Sequence, residues 1–231
     1  MKIEPKLIHV KFLKRYKRFF ADVVLNKKKI TSHCPNSGSM LGLLDENNDA
    51  WISKSDNPNR KLKYTLEIIN DKKSNVGVNT HRANRIVEEA LENKKIKELK
   101  KFTSIKREAK FSKETRFDFF LENKNQKAFL EVKNVTLCRQ KNISEFPDAV
   151  TTRGKKHLAH LQDAIKQGYE SYLLFLIQRE DSKSIRIASD IDPNYFDEIK
   201  KAKEKGVKII AYSCKVKDNE ITVSKSIKVI I

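Results

Sequence analysis

Arg116-Phe117-Asp118-Phe119-Phe120-Leu121 and Ala128-Phe129-Leu130-Glu131-Val132-Lys133 alternate in polarity on either side of the connection Glu122-Asn123-Lys124-Asn125-Gln126-Lys127, the pattern of an antiparallel strand pair. If the turn is symmetric about Lys124 and Asn125, paired residue numbers sum to 249 and Asp118 lies opposite Glu131. Side chains alternate between the two faces of a strand. Arg116, Asp118, Phe120, Phe129, Glu131 and Lys133 therefore share one face, and Phe117, Phe119, Leu121, Ala128, Leu130 and Val132 share the other, which is expected to be core. Like charges directly across a strand pair repel, so a positive group should sit between Asp118 and Glu131. A hard divalent cation, Mg2+ or Mn2+, meets that need, because such an ion takes one or two carboxylates and keeps waters and phosphate oxygens in its shell. Lys133 would then assist an attacking water and stabilise charge developing on a phosphate. The same face also reads as a solvated checkerboard, with Arg116 diagonal to Glu131 and Lys133 diagonal to Asp118, which would be worth little.

Working outward, residues 1–80 read as short strands, among them Phe19 to Leu25, Ala50 to Ser53 and Tyr64 to Ile69, with Pro-, Asn- and Gly-rich turns between them. That spacing suggests a small OB-like barrel. From His81 the period becomes helical, with Ala83, Ile86, Val87, Ala90 and Leu91 on one stripe and Thr80 as the expected N-cap. Strands are expected at Phe102 to Phe111, Arg116 to Leu121 and Ala128 to Val135, then a helix at Ala149 to Lys166 ended by Gly168 and a strand at Tyr172 to Ile177. A helix at Asn194 to Lys205 and strands near Lys208 to Tyr212 and Glu220 to Ile230 complete the chain. The fold class is α/β (α+β), divided into an OB-like domain at 1–80 and an αβββαβ domain at 81–231.

The charge balance is +19, from 49 Lys and Arg against 30 Asp and Glu, and it favours a polyanionic partner. Lysine dominates, however, 38 to 11 over arginine, which an AT-rich genome could also produce. Cys34, Cys138 and Cys214 are odd in number and lack CxxC spacing, so neither a disulfide framework nor a zinc site is indicated. Cys34 is expected to be buried and structural. No segment nears the length of a membrane span, and the expected home is the cytoplasm.

Several further stretches carry a resemblance that covers nearly the whole chain. They are Tyr16-Lys17-Arg18-Phe19, His33-Cys34-Pro35-Asn36-Ser37-Gly38-Ser39-Met40, Ser55-Asp56-Asn57-Pro58-Asn59-Arg60-Lys61, Val78-Asn79-Thr80, Glu131-Val132-Lys133-Asn134-Val135-Thr136-Leu137, Phe146-Pro147-Asp148-Ala149-Val150-Thr151, Arg153-Gly154-Lys155-Lys156-His157-Leu158 and Ile191-Asp192-Pro193. Together they resemble the sugar fermentation stimulation protein A family, with Ser37 standing where that family more often has threonine. Asp118 followed on the next strand by Glu131-Val132-Lys133, with a helix before and after, also resembles the PD-(D/E)XK nuclease superfamily. The resemblance implies an OB-like domain joined to a PD-(D/E)XK restriction-endonuclease-like domain, DNA binding, and a metal-dependent DNA or RNA nuclease activity. It implies metal ligands Asp118 and Glu131, with Lys133 assisting water and a helix glutamate completing the site. The alternative is a non-catalytic DNA-binding regulator of maltose-type sugar metabolism genes.

For the third carboxylate, Glu88 and Glu89 flank the apolar stripe of the first helix on opposite sides, and Glu108 on the first strand of the second part is a further candidate. Arg153, Lys155, Lys156 and His157 open the second helix, where cations and free N–H groups could meet phosphate. Tyr16, Lys17 and Arg18, together with Arg60 and Lys61, combine rings and cations in the way an OB surface stacks bases and follows phosphates. The expected partner is DNA, with RNA or single-stranded nucleic acid as alternatives and no membrane. The oligomeric state is open, a homodimer being one option.

Overall fold

The computed structural model describes residues 1–112 and 115–231. Its first part holds β1 (Ile8–Tyr16), β2 (Phe20–Leu25), β3 (Lys28–His33), β4 (Asp49–Lys54), β5 (Tyr64–Asn70) and β6 (Asn75–Gly77). The sheet order is β3-β2-β1-β4-β5-β6, and a parallel bridge from His33 to Thr65 joins β3 to β5 and closes a five-stranded OB barrel. Phe12, Val23, Ile52 and Leu66 are fully buried inside it. Each such side chain contributes about 1.5–3 kcal/mol relative to exposure. Cys34 is buried in the same core, as expected.

The second part runs α1 (Ala83–Glu92), β7 (Ser104–Lys110), β8 (Arg116–Glu122), β9 (Lys127–Val135), β10 (Ile143–Phe146), α2 (Thr152–Lys166), β11 (Glu170–Ile177), β12 (Ser184–Ile187), α3 (Pro193–Glu204), β13 (Lys208–Lys217), β14 (Glu220–Ser226) and β15 (Lys228–Ile230). Its main sheet has the order β14-β13-β11-β9-β8-β7. β11 lies parallel to both β9 and β13, and its run Ser171 to Ile177 is buried throughout, as a central strand covered on both faces requires. α1 packs with Phe119, Leu130, Val132 and Leu174 on one face, while α2 and α3 pack with Phe129, Leu173 and Phe175 on the other.

Local chemistry sets the helix ends. The Thr151 side chain accepts from Gly154 N at the start of α2, and Asp192 caps α3 with Pro193 in its first turn. Gly168 and Gly206, with φ of 87° and 96°, supply the left-handed turns that follow α2 and α3. Ahead of α1 the expected cap is corrected by one residue. Asn79, not Thr80, accepts from His81 N, because a short 3-10 turn, Thr80–Arg82, precedes the helix.

Three features lie outside the sequence expectation. β10, β12 and β15 form a separate three-stranded parallel sheet. Residues at the start of the chain belong physically to the second part, with Lys2 bridged to Glu220 and Ile3 N donating to Asn219 O. Buried Arg179 ties the two parts together, bonding Asp181, the Thr136 carbonyl and Asp71 from the turn between β5 and β6.

Candidate active site

The hairpin of β8 and β9 pairs Phe119 with Leu130, Phe120 with Phe129, Leu121 with Ala128 and Glu122 with Lys127, each pair summing to 249. The ladder stops at Phe119. One step further, where Asp118 would face Glu131, the Asp118 carboxylate itself takes a backbone donor, Val132 N to Oδ2 at 2.7 Å. Its other oxygen accepts from Asn84 Nδ2 on α1, also at 2.7 Å. On the far side of β8 the ladder to β7 skips the Glu108–Asp118 step, and Glu108 has φ of 48°. The same row across three strands is thus interrupted at each of its three acidic residues.

That interruption also corrects the face assignment. Phe117 was expected beside Phe119, yet its ring lies 4.9 Å from that of Phe129 and it belongs to the core under α2 and α3. With the pairing broken at Asp118, strict alternation between residues 117 and 119 is lost. Both faces of the hairpin are core, so Phe129 is buried on the face that also carries the carboxylates.

Glu131 is 3% exposed. Its Oε1 meets Lys133 Nζ at 2.7 Å and His157 Nδ1 from the second turn of α2. Its Oε2 is buried and has no hydrogen-bond partner among the described residues. Burial alone would push the Glu131 carboxyl up, but Lys133 and His157 hold it below the usual range. Asp118 behaves in the opposite way: burial, followed by the charge of Glu131, raises it to about 6. As a coupled pair, the two carboxyls therefore keep Glu131 ionised while Asp118 takes the first proton. The solvated checkerboard does not describe this cluster. Lys133 engages Glu131 on its own strand, and both side chains are largely enclosed.

A buried carboxylate oxygen without a donor, beside a second carboxylate, is a hard-oxygen environment that a divalent cation would satisfy. Among the described residues, no group of three or more His, Cys, Asp or Glu side chains converges as a self-sufficient metal site. Two carboxylates are nevertheless enough for an ion that keeps water and phosphate oxygens, so Asp118 and Glu131 fit the role. Asp118 lines a cleft of about 680 Å³ together with Glu108, Arg116, Arg153, Lys156, His157 and His160, and His157 links that lining to the Glu131 carboxylate. Arg116, Arg153 and Lys156 have no carboxylate partner among the described residues. Arg153 Nε instead approaches His157 Nε2 at 3.3 Å.

A family model described as Sugar fermentation stimulation protein RE domain matches residues 81–220. The chain belongs to the sugar fermentation stimulation protein family. A second model, SfsA N-terminal OB domain, matches residues 13–78. The sugar fermentation stimulation protein homolog of Pelagibacter ubique (strain HTCC1062) is 56% identical over 230 residues, spanning 100% of this chain and 99% of that protein. The homolog of Agrobacterium fabrum (strain C58 / ATCC 33970) is 42% identical, spanning 99% and 96%. Among solved structures, Pyrococcus furiosus SfsA in complex with Ca2+ superposes with a TM-score of 0.90 at 23% identity, covering 100% of this chain and 98% of that one. That likeness is one of fold.

In this sugar fermentation stimulation protein the expected site residues divide among several places. Asp118, Glu131 and Lys133 come together, and His157, expected only to contact nucleic acid, joins them. Neither helix glutamate does so: Glu88 pairs with Arg107 at 3.0 Å, and Glu89 receives the Met1 amino group at 2.7 Å. Glu108 is the candidate that lines the cleft. Asn84 escaped the sequence reading, although it lies four residues before Glu88 and so on the same face of α1. Tyr195 escaped as well. It is fully buried on α3, its hydroxyl has no partner among the described residues, and the charge of Glu131 adds to burial in raising it. Gly154 admits its ring, since a Cβ there would come within 3.0 Å of Tyr195 Cε2.

The remaining cations are spread out. Lys17 and Arg18 form the left-handed turn after β1, next to Tyr16, whose ring stacks on Phe20 at 5.5 Å. Arg60 sits in a different hollow of the barrel, with Thr65 Oγ1 at 2.8 Å and His33 Nδ1 at 3.4 Å, and Lys61 is exposed nearby in sequence. Lys155 is half-buried on α2, whereas Arg153 and Lys156 face outward into the cleft. No helix among the described residues is long and apolar enough to cross a membrane.

Proposed function

We propose that this chain is a metal-dependent nuclease that hydrolyses phosphodiester bonds in DNA, or in RNA, and that its OB barrel helps grip the strand. The observation carrying this reading is the buried Glu131 Oε2, which has no hydrogen-bond partner among the described residues and whose charge acts on Asp118, a lining residue of a cleft in which Arg116, Arg153 and Lys156 have no carboxylate partner among the described residues. Asp118 and Glu131 would hold Mg2+ or Mn2+. Such an ion supplies Lewis-acid polarisation of a phosphate and a more acidic bound water. Asn84 and the Val132 N–H orient Asp118. Lys133 Nζ, anchored on Glu131, is positioned to hold a water for attack and to balance charge on the phosphorane oxygens. His157 shares Glu131 with Lys133, and its Nε2 accepts from Arg153 Nε at 3.3 Å. Arg116, Arg153 and Lys156 would bind the flanking phosphates. Cys34, Cys138 and Cys214 are all free, in keeping with work in the cytoplasm.

The second reading, a DNA-binding regulator of sugar-metabolism genes with an inactive site, draws on a different observation. Glu131 Oε1 is already engaged by Lys133 and His157, and no third ligand converges among the described residues. The two readings separate in one assay. Purified protein with Mg2+ or Mn2+ should cut single-stranded, duplex or branched DNA or RNA. Asp118→Asn and Lys133→Ala should each lower the rate by about a hundredfold or more. Absence of cleavage, together with no thermal stabilisation by either ion, would leave the regulator reading, and cleavage that survives both substitutions would move the site elsewhere.

A further inference from the structure

A second cleft, of about 360 Å³, lies between the barrel and the second part. It is next to the catalytic cleft at the start of α2, where Val150 and Thr151 line it immediately before Thr152 and Arg153, which line the catalytic cleft. On β9, Asn134 lines it next in sequence to Lys133. Its chemistry differs from its neighbour's. Where the catalytic cleft gathers three cations that have no carboxylate partner among the described residues, this one is lined by one guanidinium, Arg18, and by the carboxylate of Asp148.

Neither of these two groups has a hydrogen-bond or ion-pair partner for its side chain among the described residues, and they do not pair with each other. The backbone that carries them is nonetheless held firmly. The Arg18 carbonyl accepts from Arg15 Nε at 2.7 Å, and the same Arg15 binds the carbonyls of Asn36 and Gly38, fixing the opposite barrel loop. Asp148 rests on Gly38, where any Cβ would strike its carboxylate. Asn134, bonded to buried Gln178, adds an amide, and Ser37 adds an exposed hydroxyl. Val150, 69% exposed, gives the rim an apolar edge. Glu145 also lines the cleft but is engaged by Arg139 and Arg186.

A free carboxylate repels phosphate, so this cleft is poorly suited to the backbone of a nucleic acid. A cleft lined by a carboxylate, a guanidinium and an amide, with an apolar rim, matches a base edge that carries both donors and acceptors. We propose that the cleft binds an unpaired nucleobase of the strand whose phosphate occupies the catalytic cleft, with guanine as the best match. Asp148 would accept from the adjacent N–H groups of guanine, and Arg18 would donate to its ring and carbonyl acceptors, the usual partner of that edge. The Watson–Crick edge is free for such reading only when the base is unpaired. The substrate is therefore single-stranded, frayed or flipped at this position. This inference rests on the nuclease reading and names its substrate.

The test uses the full chain in Ca2+, with short thymine DNA strands carrying one central guanine or one central abasic residue, and the guanine strand paired with its complement. The unpaired guanine strand should bind at least about fivefold tighter than the abasic one, and pairing should remove that gain. Asp148→Asn should erase the gain while leaving the salt dependence of binding unchanged, because phosphate contacts set that slope. Arg18→Ala, on an exposed turn that tolerates truncation, should reduce the same gain. Equal binding of guanine and abasic strands, or a guanine gain that survives both substitutions in folded protein, overturns the base pocket and leaves the nuclease reading standing. Failure to bind any strand at low salt overturns both.

Discussion

Two buried glutamates, one in each part of the molecule, meet different fates. Glu67 in the barrel is 1% exposed, and both of its oxygens are saturated: Ser53 Oγ and Arg82 donate to Oε1, and Asn79 Nδ2 and Arg82 Nε donate to Oε2. Glu131 is almost as deeply buried, yet Lys133 and His157 crowd onto one oxygen and leave the other with no partner among the described residues. A carboxylate with a full set of donors is a structural tie. One left half-satisfied in a low-dielectric setting carries a cost that a ligand could relieve. The contrast distinguishes a saturated carboxylate from a half-satisfied one where burial or charge alone would not.

The contrast can be broken most forcefully at Glu67. Replacing it with alanine leaves Arg82 mostly enclosed without its carboxylate and strips Ser53 and Asn79 of their acceptor. Denaturant unfolding should show a loss of about 3–5 kcal/mol. A loss below about 1 kcal/mol would mean that the saturated network is not the tie described here.

Beside Glu131 the expected sign is reversed. Asp118 has its folded pKa raised from 3.8 to about 6, so its favourable contribution is complete below 3.8 and is lost as pH rises through 6. Asp118→Asn removes that charge, and Asn84 can turn its amide to accept from the new side chain. Near pH 7 the variant should be more stable than the wild type by about 1–2 kcal/mol. The gap should open between about pH 4 and pH 6, following that shift, and close at lower pH. Thermal melting across pH measures it directly; a variant no more stable at neutral pH would show that the two carboxylates do not oppose each other in the free protein.

The smallest effect is expected at Asn84. Its hydrogen bond favours the ionised form of Asp118, so Asn84→Ala should move the Asp118 titration above its present value of about 6, read by carboxyl NMR. The accompanying loss of stability should be about 1 kcal/mol. An unmoved titration would remove Asn84 from the set of residues that position the site.

Much of this architecture could be read locally. The hairpin register follows from alternation about a polar turn, and four observed pairs obey it. The stripe Ala83, Ile86, Val87, Ala90 and Leu91 is buried as one face of α1. The short strands β10 and β12 left no comparable signal, and β15 shows only as the end of a single expected strand from Glu220 to Ile230. Three or four residues are too few for a period to show, and their pairing is entirely with distant segments. The choice among Glu88, Glu89 and Glu108 was equally hidden. It depends on Arg107 reaching Glu88 and on the Met1 amino group reaching Glu89, contacts between residues far apart in sequence.

By itself, then, the sequence determined the longer elements, the family, and the meeting of Asp118 with Glu131-Val132-Lys133, because alternation, helical spacing and turn chemistry act over a few residues. Only the tertiary structure decided that Asp118 would leave the strand ladder to take Val132 N and Asn84, that His157 would share Glu131 with Lys133, and that Arg18 and Asp148 would face one cleft from opposite parts of the chain. Those outcomes depend on which surfaces are pressed together and which polar groups are thereby cut off from water. That balance is set by the whole packed molecule and by no single segment of it.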